Sequence, residues 1–187
     1  MKNSRMTGKL SATLAALALT AGLGLAGGPP ASAAYCGITW GSTAKAATST
    51  LRPAPITDVR AGRHACFDRL VVDVRRRTAG YTVQYVGAFT GIGSGETIPL
   101  RGGARLSVTV NAPAYNQAGQ AVYQPVDPRR VVNVAGYTTF RQVAYGGSYE
   151  GYTSFGLGVR ARLPMRVFVL PGPGAGSRVV IDVAHRW

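Results

Sequence analysis

The chain has 187 residues, with 21 Lys and Arg against 7 Asp and Glu, a formal net charge of +14, and only 2 His and 2 Cys. That length suits one domain with a core of its own and excludes a mini-protein held together by staples alone. So few acids and His leave little material for paired-carboxylate or multi-His metal chemistry.

The chain opens on Lys2, Arg5 and Lys9, then an apolar run from Leu10 to Ala26, then the small-x-small site Ala31-Ser32-Ala33. This is the grammar of a secretory signal peptide over residues 1–33, cut after Ala33. An uncleaved anchor is the alternative; the run is short for a span, and the helix-breaking Gly27-Gly28-Pro29-Pro30 follows it. Cys36 lies too late for lipidation, and no later stretch is apolar enough to span a bilayer. The expected product is a secreted, non-spanning chain. Loss of three positive residues takes its charge from +14 to +11. Lys45 is its only Lys, so the charge is nearly all Arg, whose planar guanidinium suits phosphate and carboxylate. Outside the cell the matching polyanion is an envelope polymer or a lipid headgroup, not nucleic acid. Simple solubility is the plainer reading of the same charge.

Residues 34–56 read as an N-terminal arm, small and polar from 41 onward, a linker or extended cover. Cys36 and Cys66 form an even pair that closes in an oxidising compartment. Two free or intermolecular thiols are the alternative. A closed loop would tie the arm to the first strong strand and stabilise the fold by roughly 3–4 kcal/mol.

Residues 57–187 read as one β domain. Residues 67–77 alternate, with Leu70, Val72 and Val74 on one face and Arg69, Val71 and Asp73 on the other. Further strands are predicted over 80–86, 104–110, two within 131–145 (131–136 and 138–145), a Gly-rich one within 148–162, 165–170 and 178–184. Gly and Pro punctuate the gaps, and a hairpin turn explains Gly91–Glu96. Eight or nine short strands with no amphipathic helix predict an all-β sandwich of antiparallel sheets, or a barrel. Arg69-Leu-Val-Val-Asp73-Val recurs as Arg178-Val-Val-Ile-Asp182-Val, which suggests two related sheets packed face to face.

No catalytic constellation emerges. His64 and His185 are the only His; either beside a carboxylate in a cleft would support a hydrolase. No cluster has zinc spacing, and no metal or cofactor is expected. Ser42-Thr43-Ala44-Lys45 fits a serine-nucleophile motif but lacks its partner Lys. Binding features are stronger. Residues 136–158 set Tyr137, Phe140, Tyr145, Tyr149, Tyr152 and Phe155 among glycines. By parity, Tyr145, Tyr149 and Phe155 share one face and Tyr152 takes the other. Arg75, Arg76, Arg77, Arg129 and Arg130 are the densest charges. The expected binding set is these five Arg with Tyr145, Tyr149 and Tyr152 for stacking and Glu150 as a polar anchor. Solvated turns and core-filling rings are the plainer readings.

Residues 57–74, 80–86, 98–110, 148–170 and 177–187 together resemble the AMIN-like domain of secreted and lipid-anchored proteins of high-GC Gram-positive bacteria. The closing Arg178-Val-Val-Ile-Asp182-Val is similar to a strand of the broader AMIN domain, which accompanies cell-wall amidases and is associated with peptidoglycan. The resemblance implies a β-sandwich of two similar sheets and a non-catalytic envelope-binding role. The implied partner is a cell-wall glycan or anionic envelope polymer. A protein-interaction module, with another secreted protein as partner, is the competing reading.

Overall fold

The computed structural model describes residues 34–48, 50–77 and 80–187. The signal-peptide reading of residues 1–33 lies outside them. Among the described residues there are eleven strands: β1 (Ala34–Tyr35), β2 (Ile38–Thr39), β3 (Lys45–Thr48), β4 (Ile56–Arg63), β5 (Phe67–Val74), β6 (Gly80–Val86), β7 (Ala104–Val110), β8 (Phe140–Tyr149), β9 (Tyr152–Val159), β10 (Met165–Pro171) and β11 (Ser177–Ala184). No helix among these residues is long and apolar enough to cross a membrane.

Nine strands make the sandwich. Four form a sheet in the order β10-β11-β5-β4 and five a sheet in the order β3-β6-β7-β9-β8; β1 and β2 pair separately. Alternation explains the core. Leu70, Val72 and Val74 of β5 and Val179, Ile181 and Val183 of β11 face Leu106, Val108 and Val110 of β7 and Phe155, Leu157 and Val159 of β9 in one buried cluster. Each of these strands points alternate side chains into that cluster, and full burial of one is worth roughly 1.5–3 kcal/mol relative to exposure.

The repeated Arg–Asp motif has a different geometry from the one expected. Its copies do not lie on facing sheets; β5 and β11 are antiparallel neighbours in one sheet, with Arg69 opposite Asp182 and Asp73 opposite Arg178. Two copies of a motif with Arg and Asp four apart place opposite charges across an antiparallel pair, which is favourable. Only the first pairing becomes an ion pair. Arg69 Nε stands 2.6 Å from Asp182 Oδ1, and Arg166 Nε 2.7 Å from Asp182 Oδ2. Asp73 instead takes Arg60 of β4 at 2.8 Å, and Arg178 donates to the Pro171 carbonyl at 2.6 Å. Arg69 and Arg166 also lie over the rings of Phe67 and Phe168. The cations and rings close over Asp182, which is fully buried although it is on the outer face.

Two other expectations change. Residues 131–136 form bends and a turn, not a strand. Asn133 Oδ1 accepts the Ala135 N–H at 3.0 Å, a local bond that competes with a ladder. The small, polar arm contributes β3, which pairs with β6 at the sheet edge.

Loop 87–103 covers the outer face of the five-stranded sheet, with Phe89 and Leu100 buried beside Ala144. The cover depends on bare backbone: a Cβ at Gly156 would strike Phe89, and one at Gly158 would strike the Arg101 carbonyl.

At one end of the sandwich the Cys36–Cys66 disulfide, with Cα atoms 6.4 Å apart, pins the β1–β2 hairpin to the start of β5. Trp40 is buried there against Phe67 and Ala184. Both ends of the described chain lie here: Arg186 sits 4.7 Å over the Tyr35 ring, and the His185 N–H donates to the Cys66 carbonyl.

Tyrosines stitch the two sheets together. Tyr85 Oη donates to the Leu163 carbonyl at 2.6 Å and accepts the Leu163 N–H at 2.9 Å, while Tyr81 Oη donates to Val167 O. Burial pushes the Tyr85 phenol up to about 12 and raises Tyr81, Tyr123 and Tyr145 as well. An unfolded Tyr ionises near pH 10, so above that pH the unfolded chain binds fewer protons than the folded one. The stabilisation is therefore complete below about pH 10 and lost as pH rises through about 12. Urea midpoints should hold level from pH 8 to 9.5 and fall steeply by pH 11; a level profile to pH 11 would contradict this.

Candidate functional site

Arg75, Arg76 and Arg77 follow β5 as an exposed turn. The Arg75 N–H donates to Pro55 O at 2.9 Å, and Ser177 Oγ donates to Arg76 O at 2.6 Å. The turn backbone is thus fixed while the three guanidiniums stay in solvent.

Tyr149, Glu150, Gly151 and Tyr152 form the β8–β9 hairpin tip. Glu150 and Gly151 both have positive φ, 48° and 83°, the conformation of a two-residue type I′ turn. The tip is braced: the Gly151 N–H donates to Tyr115 Oη at 3.0 Å, and Ser148 Oγ donates to Tyr152 O at 2.9 Å. Tyr149 rests on Gly93. Tyr149 is 52% exposed and Tyr152 43%.

Strand register puts the Arg turn and the tip at one end of the sandwich. The end of β5 lies beside the start of β11, the start of β6 pairs with the end of β7, and the end of β7 pairs with the start of β9. Residues 50–55 cross this end, with Pro53 packed near Gly151.

The rest of the expected set lies elsewhere. Tyr145 is half-buried, its ring 5.7 Å from Phe155 and 6.2 Å from Tyr123 in the core. A bulge between Tyr145 and Ser148 shifts the register, so Tyr149 pairs with Tyr152 while Tyr145 pairs with Phe155. That one extra residue overturns the parity that joined Tyr149 to Tyr145. Arg129 and Arg130 are exposed but flank the middle of β8, held where the Tyr145 N–H donates to Pro128 O and the Val131 N–H donates to Val143 O. Arg130 faces a separate hollow of about 460 Å³ with Arg101 and Arg141.

His185 Nε2 lies 3.2 Å from the buried Asp68 Oδ1, and both His line a shallow hollow with Arg63, Ala65 and Thr138. The His-beside-carboxylate arrangement that would support a hydrolase is therefore present, in a shallow hollow. Asp68 is also bound into the fold: its Oδ2 accepts the Thr139 and Phe140 N–H groups at 2.5 and 3.0 Å, and His64 stacks on Phe67 at 4.5 Å. Among the described residues no Ser or Cys lines the hollow. Asp68 joins the end of one sheet to the start of β8 in the other, as a clamp.

Sequence reasoning missed an open cleft of about 910 Å³ between β3 and the end of β10, lined by Leu51, Arg52, Arg76, Arg77, Val169 and Leu170 among others. The one signal for it was Leu51-Arg52, an aliphatic and a cation together in a small, polar segment.

The family model of the AMIN-like domain matches residues 54–185. No curated protein matches the chain.

Proposed function

The chain belongs to the AMIN-like domain family, whose members are cell-envelope-associated domains, and from that premise we propose that it is an exported, non-catalytic module that binds a glycan or anionic polymer of the cell wall. The observation that supports this reading is the shared position of Arg75–Arg77 and the Tyr149–Tyr152 tip at one end of the sandwich. Three exposed guanidiniums offer planar donors to phosphate or carboxylate groups. Tyr149 and Tyr152 offer ring faces for a sugar, and Glu150 between them accepts hydroxyl donors. Arg129 and Arg130 form a second, separate basic surface.

The test is co-sedimentation of the exported chain with purified sacculi, intact or stripped of anionic polymers, over a salt series. Arg75→Gln, Arg76→Gln and Arg77→Gln together should lower both the affinity and its salt dependence. Tyr149→Ala with Tyr152→Ala should remove the binding that survives salt. Wall binding untouched by either set would sink this reading; binding lost entirely on stripping would leave only the anionic polymer as ligand.

A further inference from the structure

The cleft between β3 and β10 carries two chemistries side by side. Arg52, Arg76 and Arg77 line it without any carboxylate, and none of them enters an ion pair among the described residues. Leu51 and Val169, 44% and 41% exposed, flank the same cations and are among the six large exposed hydrophobics of the described residues.

A soluble polyanion would use the Arg and leave the aliphatics in water. Exposed aliphatics usually mark a surface that something apolar covers. A ligand that satisfies both groups is an anion with hydrocarbon directly attached. Interfacial binding has the same two components, burial of apolar side chains at the acyl boundary and attraction to anionic headgroups.

We propose that this end of the sandwich docks peripherally on an anionic phospholipid surface. One headgroup phosphate seats among Arg52, Arg76 and Arg77, and Leu51 and Val169 enter the boundary between headgroups and chains. The inference rests on the envelope location proposed above, not on its wall ligand. Gly80 and the Gly174–Ser177 turn on the cleft wall present backbone in place of bulky side chains, leaving room for a headgroup.

The probe is flotation of the exported chain with vesicles of phosphatidylglycerol mixed into phosphatidylcholine, against phosphatidylcholine alone. Binding to the anionic vesicles only is expected. Arg52→Gln, Arg76→Gln and Arg77→Gln together should weaken it on the order of 100-fold, at about fivefold per Arg. Leu51→Ser with Val169→Ser should weaken it roughly tenfold or more and leave sacculus binding unchanged. Tyr149→Ala with Tyr152→Ala supplies the reverse control, acting on sacculi. Should the paired substitution disturb folding, Leu51→Ser alone repeats the test at an exposed residue outside any strand. No vesicle binding, vesicle binding indifferent to Leu51 and Val169, or full competition by soluble glycerol phosphate would each overturn the proposal. Loss of sacculus binding with vesicle binding intact would count against the wall reading alone.

Discussion

Asp182→Ala should destabilise the fold by about 3 kcal/mol, near the lower bound for stripping one partner from a buried ion pair. Asp182 is fully buried, and both its oxygens are engaged, by Arg69 at 2.6 and 2.9 Å and by Arg166 at 2.7 Å. Hydrogen bonding to Asp182 raises the Arg69 pKa above its ordinary value. Without the carboxylate, two cations face each other over Phe67 and Phe168 with nothing between them. The cost stays at the low end because the Arg side chains keep 22% and 32% exposure and can swing into water. At roughly 2–4 °C per kcal/mol for a domain of this size, the melting temperature should fall on the order of 10 °C. Asp182→Leu combined with Arg69→Met and Arg166→Met should recover most of the loss, since a well-packed apolar replacement of a buried ionic cluster is often neutral. A single variant within 1 kcal/mol of the parent would show that the cluster is dispensable.

Removing the disulfide should cost a similar amount. Cys36 and Cys66 are 30 residues apart, and opening a loop of that size returns about 3–4 kcal/mol of conformational freedom to the unfolded chain. Cys36→Ser with Cys66→Ser should show this loss without reductant, and reductant should then have no further effect. Trp40 gives a local readout. It is 1% exposed, donates Nε1–H to Tyr35 O at 2.9 Å and packs 5.8 Å from Phe67, whereas Trp187, the other Trp, is half-exposed. A red shift in emission at temperatures where the β-sheet signal persists would show the arm releasing first. Coincident loss of both signals would make the arm part of the cooperative unit.

The strands that could be read from sequence are those whose period is clean. β6 and β7 alternate apolar and polar residues, β5, β10 and β11 are short apolar runs bounded by charged or turn residues, and each lies where its pattern predicts. The misreadings have local physical causes. β4 carries a bulge between Ile56 and Asp58, which breaks its period, and β3 has only four residues. Residues 131–136 are apolar because Val131 and Val132 pack onto the core from a loop, and burial without ladder bonds mimics a strand in one dimension. The repeated motif was visible, but a repeat cannot distinguish facing sheets from neighbouring strands; the antiparallel register decides that. The candidate site was legible in its parts. An Arg triplet and a Tyr–Gly hairpin stand out by composition, and their common end required the topology. The bulge after Tyr145 was marked only by Gly146-Gly147, the second at a positive φ of 94°, and the separate placement of Arg129–Arg130 left no mark in the pattern.

Because Tyr35 meets Arg186 at the disulfide end, any tether at residue 34 or residue 187, natural or engineered, leaves from the side opposite the Arg turn. Eight-residue strands separate the two by about 25 Å. A molecule grafted through residue 34 or residue 187 onto a bead, a chip or a larger protein would therefore stand upright, its Arg turn held outward like the head of a pin. Surface-immobilised measurements should consequently report the same affinity whichever of the two positions carries the attachment.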